Sequence, residues 1–92
     1  MSDVRVTPLE EGAYGVEVVE GNTRTNHRVT IPPAYLDGLG LGDADPETVV
    51  RESFSFLLER EPPSSILKDF SVEAIERYFP EYREELPRRL GR

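Results

Sequence analysis

The clearest chemical spacing in this 92-residue chain is a glycine series, Gly38-x-Gly40-x-Gly42, which has the beginning of a phosphate-binding loop. The dinucleotide fingerprint follows a strand and places its last glycine at the position that Asp43 occupies here. A carboxylate at that point would repel phosphate. We therefore interpret the glycines as a helix stop and a flexible connector.

Three carboxylates, Asp43, Asp45 and Glu47, have the alternating spacing that opens a calcium-binding loop. That loop also requires glycine at its sixth position and glutamate at its twelfth, where this chain has Thr48 and Phe54. The spacing is better explained by helix capping and by complementarity to the helix dipole. The sequence therefore predicts no metal site here.

His27 is the only histidine, and strand alternation predicts that it faces inward beside Val29 and Ile31. A hydrolase triad would need a nucleophile and an orienting acid around it, and a metal site would need further ligands at characteristic spacing. We predict a half-buried structural histidine, with a pH-sensitive interface as the alternative. The absence of cysteine excludes disulfides and thiolate chemistry. The expectation is a non-enzymatic protein without catalytic residues, cofactors or metals.

The first part of the chain, residues 1–31, is predicted to be a three-stranded antiparallel sheet. Apolar and polar residues alternate there, and turn residues punctuate the alternation. The third strand directs Arg24 and Arg28 to the solvated face, where they are candidate partner-binding residues. A strand can place such side chains in a DNA major groove, although a simple solvated face is the favoured interpretation.

A long helix dominates the helical part, residues 33–87. Asp45 is predicted to cap it, Pro46 suits its first position, and the pair Pro62-Pro63 ends it. Its apolar side chains span roughly 200° of the circumference, against about 100° for an ordinary surface helix. They are Val49, Val50, Phe54, Phe56, Leu57 and Leu58. This width predicts burial on two sides, and we expect a homodimer with Phe56 at the contact edge.

Short helices follow, separated by Pro80, and residues 88–92 are predicted to be a frayed basic tail. Between the helices, Phe79 and one neighbouring tyrosine are expected in the core. The other tyrosine is a candidate binding anchor, so Tyr78 and Tyr82 both join the predicted partner-binding residues. Together these elements predict one small α+β domain, residues 1–92, with the sheet packed on the central helix.

The charge distribution disfavours non-specific nucleic-acid binding but leaves it open. The net charge is −7, and residues 1–45 contain three arginines against eight acids, which gives −5. Neither half supplies a sustained positive field. No signal peptide or membrane-length apolar run is visible. A cytoplasmic protein with an unidentified protein partner is expected.

Two segments resemble known families. Residues 28–43 resemble the strand, proline, short helix and LGL-x-x-G-D stretch of AbrB-type swapped-hairpin proteins, which are dimeric DNA-binding regulators and antitoxins. The order of strands, loop and acid-capped helix is similar to that of HicB-type antitoxins. Residues 51–62 and 78–82 resemble small bacterial proteins of uncharacterised function.

Together with the acidic composition and the missing catalytic residues, these resemblances favour a small acidic binding or regulatory protein, antitoxin-like, that acts through protein–protein contacts. The alternative is a dimeric, sequence-specific DNA-binding transcriptional regulator that uses the third strand. Both remain expectations from sequence.

Overall fold

Two glycine turns fold the first part of the chain into an antiparallel meander. The computed structural model describes residues 2–91 and places β1 at Ser2–Glu10, β2 at Ala13–Glu20 and β3 at Thr23–Thr30. Gly12 and Gly21 lie in the two turns with φ of +77° and +60°, a conformation that side-chain-bearing residues rarely adopt. The predicted meander is confirmed.

The apolar side chains of the alternating pattern lie on the inward face of the meander. Val4 lies opposite Val18 across β1 and β2, and Val16 lies opposite His27 across β2 and β3. Val16 and Val18 are buried, as is Val29 further along β3. This face packs against the helices.

The sheet has a fourth strand, β4 (Asp69–Ser71), so the prediction of three strands is wrong in number. β4 runs parallel to β3, with Phe70 opposite Val29, and gives the order β1-β2-β3-β4. The strand has three residues, of which one is apolar, and a segment this short cannot show an alternating pattern. It forms because β3 offers an unpaired edge, where the backbone N–H of Arg28 also donates to the carbonyl of Lys68 at 2.7 Å.

Helix α1 spans Pro33–Gly38, and the central helix α2 spans Pro46–Leu58. Pro46 occupies the first helical position, as predicted. Asp45 precedes it, but its carboxylate accepts a hydrogen bond from the Thr48 hydroxyl at 2.9 Å and makes no bond to a helix N–H. The carboxylate therefore fixes the first turn through a side chain.

The wide apolar face of α2 is covered within the chain. Helix α4 (Tyr82–Arg89) covers the flank that the sheet leaves open, and Phe79, which follows α3 (Val72–Tyr78), lies with its ring centroid 6.0 Å from that of Phe56. The Phe56 ring is fully buried. Its centroid lies 5.2 Å from that of the Tyr82 ring and 3.6 Å from the guanidinium carbon of Arg60. The prediction that Phe56 lies at a dimer contact edge is therefore wrong.

The C-terminal residues differ from the predicted frayed tail at 88–92. Helix α4 continues through Pro87 to Arg89, and the Leu90 N–H still bonds to the Leu86 carbonyl at 3.2 Å. Arg89 pairs with Glu59 at 2.7 Å and with Glu85 at 3.4 Å. These contacts fasten the last helical turn to the end of α2. Arg92 lies outside the described residues.

One hydrophobic cluster joins the sheet, α2 and the C-terminal helices. Its largest fully buried side chains include Phe54, Phe56 and Tyr82. Within residues 2–91, no helix has the length and apolar character needed to cross a bilayer.

Candidate functional groove

An apolar groove lies between the end of α2, the 3₁₀ turn Pro63–Ser65 and helix α3. Its lining combines buried and exposed side chains with one carboxylate. The lining residues are Leu57, Glu61, Ser65, Ile66, Leu67, Phe70, Ala74, Ile75, Tyr78 and Phe79. We refer to these ten residues as the α2–α3 groove.

Exposed apolar side chains are concentrated at this groove. Leu67 is 50% exposed and Tyr78 is 68% exposed, and both line it. In the part of the chain that the structure describes, Leu9 is the other large apolar side chain that is exposed, and it lies over Gly15 on the sheet. Adjacent exposed apolar groups are typical of a surface that binds a partner.

Backbone geometry places the Leu67 side chain at the surface and that of the preceding Ile66 in the core. Ile66 has extended dihedral angles, φ −77° and ψ 133°, so consecutive side chains point in opposite directions. Ile66 is 5% exposed and contributes to the core, which leaves Leu67 at the surface. The position of Leu67 follows directly from the burial of Ile66.

His27 fixes the backbone of Leu67. The carbonyl of Leu67 can only accept, so Nδ1 of His27, 2.8 Å away, carries the proton and donates. In the neutral ring Nε2 then accepts from the Thr25 hydroxyl at 2.9 Å. His27 is 5% exposed, more deeply buried than predicted, and its role in this structure is to hold the groove segment against the sheet.

Glu61 is the one acidic residue of the groove. Burial raises the pKa of its carboxyl above the ordinary value. No basic side chain among residues 2–91 forms an ion pair with it, and its carboxylate accepts no hydrogen bond from those residues. The groove therefore contains a partly desolvated negative charge without a counter-ion.

The groove suits an anchoring side chain better than a whole small molecule. Its volume is about 210 Å³, below the roughly 300–1,000 Å³ of sites that enclose small molecules. Its lining offers the hydroxyls of Ser65 and Tyr78 and the Glu61 carboxylate, but no histidine or cysteine. Within residues 2–91, no three side chains of the metal-ligating types are grouped to hold an ion.

Two predicted partner-binding residues lie in the protein interior. Phe56 and Tyr82 are both fully buried, so neither can contact a partner in this structure. The ring of Tyr82 fills the space between α4 and α2, and its hydroxyl lies 2.7 Å from Oγ of Ser53. These two assignments are corrected to core residues, whereas Tyr78 remains a candidate.

The other two candidates, Arg24 and Arg28, lie on the solvated face of the sheet, away from the groove. Arg24 pairs with Glu17 at 3.5 Å, and Arg28 pairs with Glu10 and, at 3.9 Å, with Asp69. Their guanidinium groups are balanced by carboxylates on the same face. They form no positive patch with one another.

Sequence reasoning missed Leu67 and Glu61. A signal for Leu67 was present, because adjacent Ile66 and Leu67 in a short connection cannot both face inward. Glu61 precedes Pro62-Pro63 and resembles an ordinary solvent-facing charge at a helix end. It lines the groove together with residues of α3, which begins 11 positions further along the chain, and the local pattern does not indicate this contact.

A second, wider hollow of about 580 Å³ lies between the β1–β2 turn and α1. Three carboxylates, those of Glu10, Glu11 and Asp37, line it together with apolar residues. Glu10 already pairs with Arg28. We select the α2–α3 groove as the candidate site because it combines two exposed apolar side chains with a partly buried carboxylate that forms no ion pair among residues 2–91.

No protein-family model matches this chain, and no curated protein or solved structure matches it either. The AbrB-type and HicB-type resemblances therefore stay predictions. The assignment of function depends on the groove itself.

Proposed function

We propose that this chain is a non-enzymatic binding protein whose α2–α3 groove receives an apolar side chain of a protein partner, with a lysine or arginine of that partner beside it. The observation that carries the proposal is that Leu67 and Tyr78, both exposed, line the same groove as the unpaired Glu61. This is the protein–protein mode of action predicted from the sequence.

The apolar part of the proposal depends on side-chain exposure. Leu67 and Tyr78 are about half or more exposed in the free protein, so covering them removes apolar area from water. Beneath them, Ile66 and Ile75 form a floor that is already packed. A partner side chain therefore enters a preformed site, which limits the entropy lost on binding.

The charge part of the proposal depends on Glu61 and on the whole chain. A cation placed beside Glu61 would offset the cost of its partial desolvation. The net charge of −7 attracts basic partners and repels acidic ones. An antitoxin-like protein that neutralises a basic partner is the leading form of this function.

The arginines of the sheet supply no comparable support for DNA binding. Arg24 and Arg28 are each engaged by carboxylates, and phosphate groups would have to displace them. We therefore do not propose that the protein is a DNA-binding regulator.

The test uses a short amphipathic helical peptide with leucines along one face and lysines beside them. A matched peptide has glutamates in place of the lysines. Titration into ¹⁵N-labelled protein should shift the amide signals of Leu57, Leu67, Ala74 and Tyr78 with the lysine peptide. The glutamate peptide should bind much more weakly.

A pair of equally exposed leucines provides the control. Leu67→Ser should weaken binding at least about tenfold, because it removes one apolar wall. Leu9→Ser changes a leucine of similar exposure on the sheet and should leave binding unchanged. Equal loss in both variants, or shifts confined to the sheet, would overturn the proposal.

A further inference from the structure

Strand β1 leaves one edge of the sheet open. It is nine residues long, and within residues 2–91 only β2 pairs with it. Such an edge presents N–H and C=O groups to any strand that can align with it. This edge is separate from the α2–α3 groove, and pairing along it is independent of the proposed function.

The direction of the free backbone groups can be read from one contact. Nη1 of Arg51 donates to the carbonyl oxygen of Val4 at 3.0 Å, so that carbonyl points away from β2. Backbone direction alternates along a strand, so Val6 also presents its N–H and C=O to the open edge. Pro8, two residues beyond Val6, also faces the open edge. It has no N–H, and on that side no hydrogen bond of the sheet is lost.

We propose that this edge pairs antiparallel with the same edge of a second copy, with Val4 opposite Val4 at the two-fold axis. The two four-stranded sheets then become one continuous sheet of eight strands. In this register Val4 exchanges both backbone hydrogen bonds with its counterpart, and Val6 pairs with Ser2 of the second copy.

Charge complementarity selects this register among the neighbouring ones. With Val4 at the axis, Asp3 of each copy lies opposite Arg5 of the other, on the solvated face of the sheet. Arg5 also pairs within its own chain, with Asp3 at 3.2 Å and with Glu17 at 3.8 Å, so the interface would extend an existing charge cluster. Shifting the axis to Asp3 or Arg5 places like charges opposite each other, which is destabilising. Shifting it to Val6 places Val4 opposite Pro8, which cannot donate.

The inner face supports the same pairing. Val4 and Val6 are half-buried and pack at the margin of the core, so a second copy would complete their burial. Arg51 releases the Val4 carbonyl on pairing but keeps its ion pair with Glu47 at 3.1 Å. The homodimer predicted from α2 is thus replaced by one built on β1.

The absence of native cysteine allows a direct test by single-cysteine cross-linking of the full chain. Val4→Cys places two thiols opposite each other, with Cα atoms about 5.5 Å apart, inside the range that a disulfide spans. Val6→Cys is the matched control, because its two copies are offset by four residues, or ~13 Å. Under mild oxidation the Val4→Cys dimer should form at least about tenfold faster.

Charge variants test the same register in sedimentation experiments. Asp3→Arg places Arg opposite Arg5 of the second copy and should raise the dimer dissociation constant. Asp3→Asn removes the attraction without adding repulsion and should raise it less. Thermal melts of each variant check that the monomer fold is intact. Equal cross-linking of the two cysteine variants, faster cross-linking of Val6→Cys, or a wild type that stays monomeric at about 1 mM would overturn the proposal.

Discussion

The hydroxyl pair formed by Ser53 and Tyr82 shows how a polar group is accommodated in this core. The Ser53 hydroxyl donates to the Val49 carbonyl at 2.7 Å, so its single proton is used there. Tyr82 must therefore donate to Oγ of Ser53. Burial raises the pKa of the Tyr82 hydroxyl, which keeps the donor protonated at neutral pH.

This assignment of donor and acceptor predicts unequal costs. Tyr82→Phe removes the donor but leaves Ser53 bonded to the helix, so the free energy of unfolding should fall by about 1 kcal/mol. Ser53→Ala strands the buried tyrosine hydroxyl without an acceptor and should cost about 1–3 kcal/mol.

Urea melts of the two single variants and the double variant measure these costs. The double variant should lose less than the sum of the singles, because the hydroxyl that lacks an acceptor is gone. A larger cost for Tyr82→Phe than for Ser53→Ala would contradict the assignment.

At the scale of elements, Arg89 fastens α4 to α2. Its guanidinium pairs with Glu59 and Glu85 and lies 5.6 Å from the ring centroid of Phe56. Arg89→Ala should therefore lower the free energy of unfolding by roughly 0.5–1 kcal/mol, the range of a cation–π contact.

The neighbouring Arg88→Ala is the control, and it should change stability by less than about 0.5 kcal/mol. Thermal or urea denaturation of both variants checks the difference. If both variants changed stability equally, Arg89 would not hold α4 against α2, and residues 88–91 would form the frayed tail predicted from the sequence.

The elements that could be predicted from sequence are those whose signal is local. Alternation and turn glycines predict β1 to β3, and Phe54 and Leu57 are correctly placed in the core at 0% and 4% exposure. Strand β4 is missed because its three residues depend on the edge of β3, about 40 positions earlier. The α2 face is misread because a helical wheel gives the width of an apolar arc but not the neighbour that covers it.

The same limit applies to the candidate site. Tyr78 is predicted as a binding anchor because aromatic residues beside arginines are frequent anchors, and its exposure keeps it a candidate. Phe56 is instead covered by Arg60 and Arg89, two residues that sequence patterns assign to solvent. Glu61 is partly buried in the groove, and the pattern of residues around it gives no sign of that burial.

At the scale of the whole molecule, Glu61 links the stability of the protein to the binding that we propose. The pKa of its carboxyl is raised in the folded protein, so the stability contribution of the protonated form is present below the ordinary value of 4.5. It is lost as the pH rises through the folded pKa. At neutral pH the charged carboxylate therefore makes the folded protein less stable than a neutral side chain would.

Measuring stability and peptide binding together in Glu61→Gln tests whether the groove is built to receive a cation. At pH 7 the variant should have a higher free energy of unfolding than the wild type, and the two should converge near pH 3. The lysine peptide should bind it more weakly by roughly 1.5-fold to fivefold, the range expected for a partly exposed ion pair. Unchanged peptide affinity, or a variant that is less stable at pH 7, would contradict a cation-binding groove.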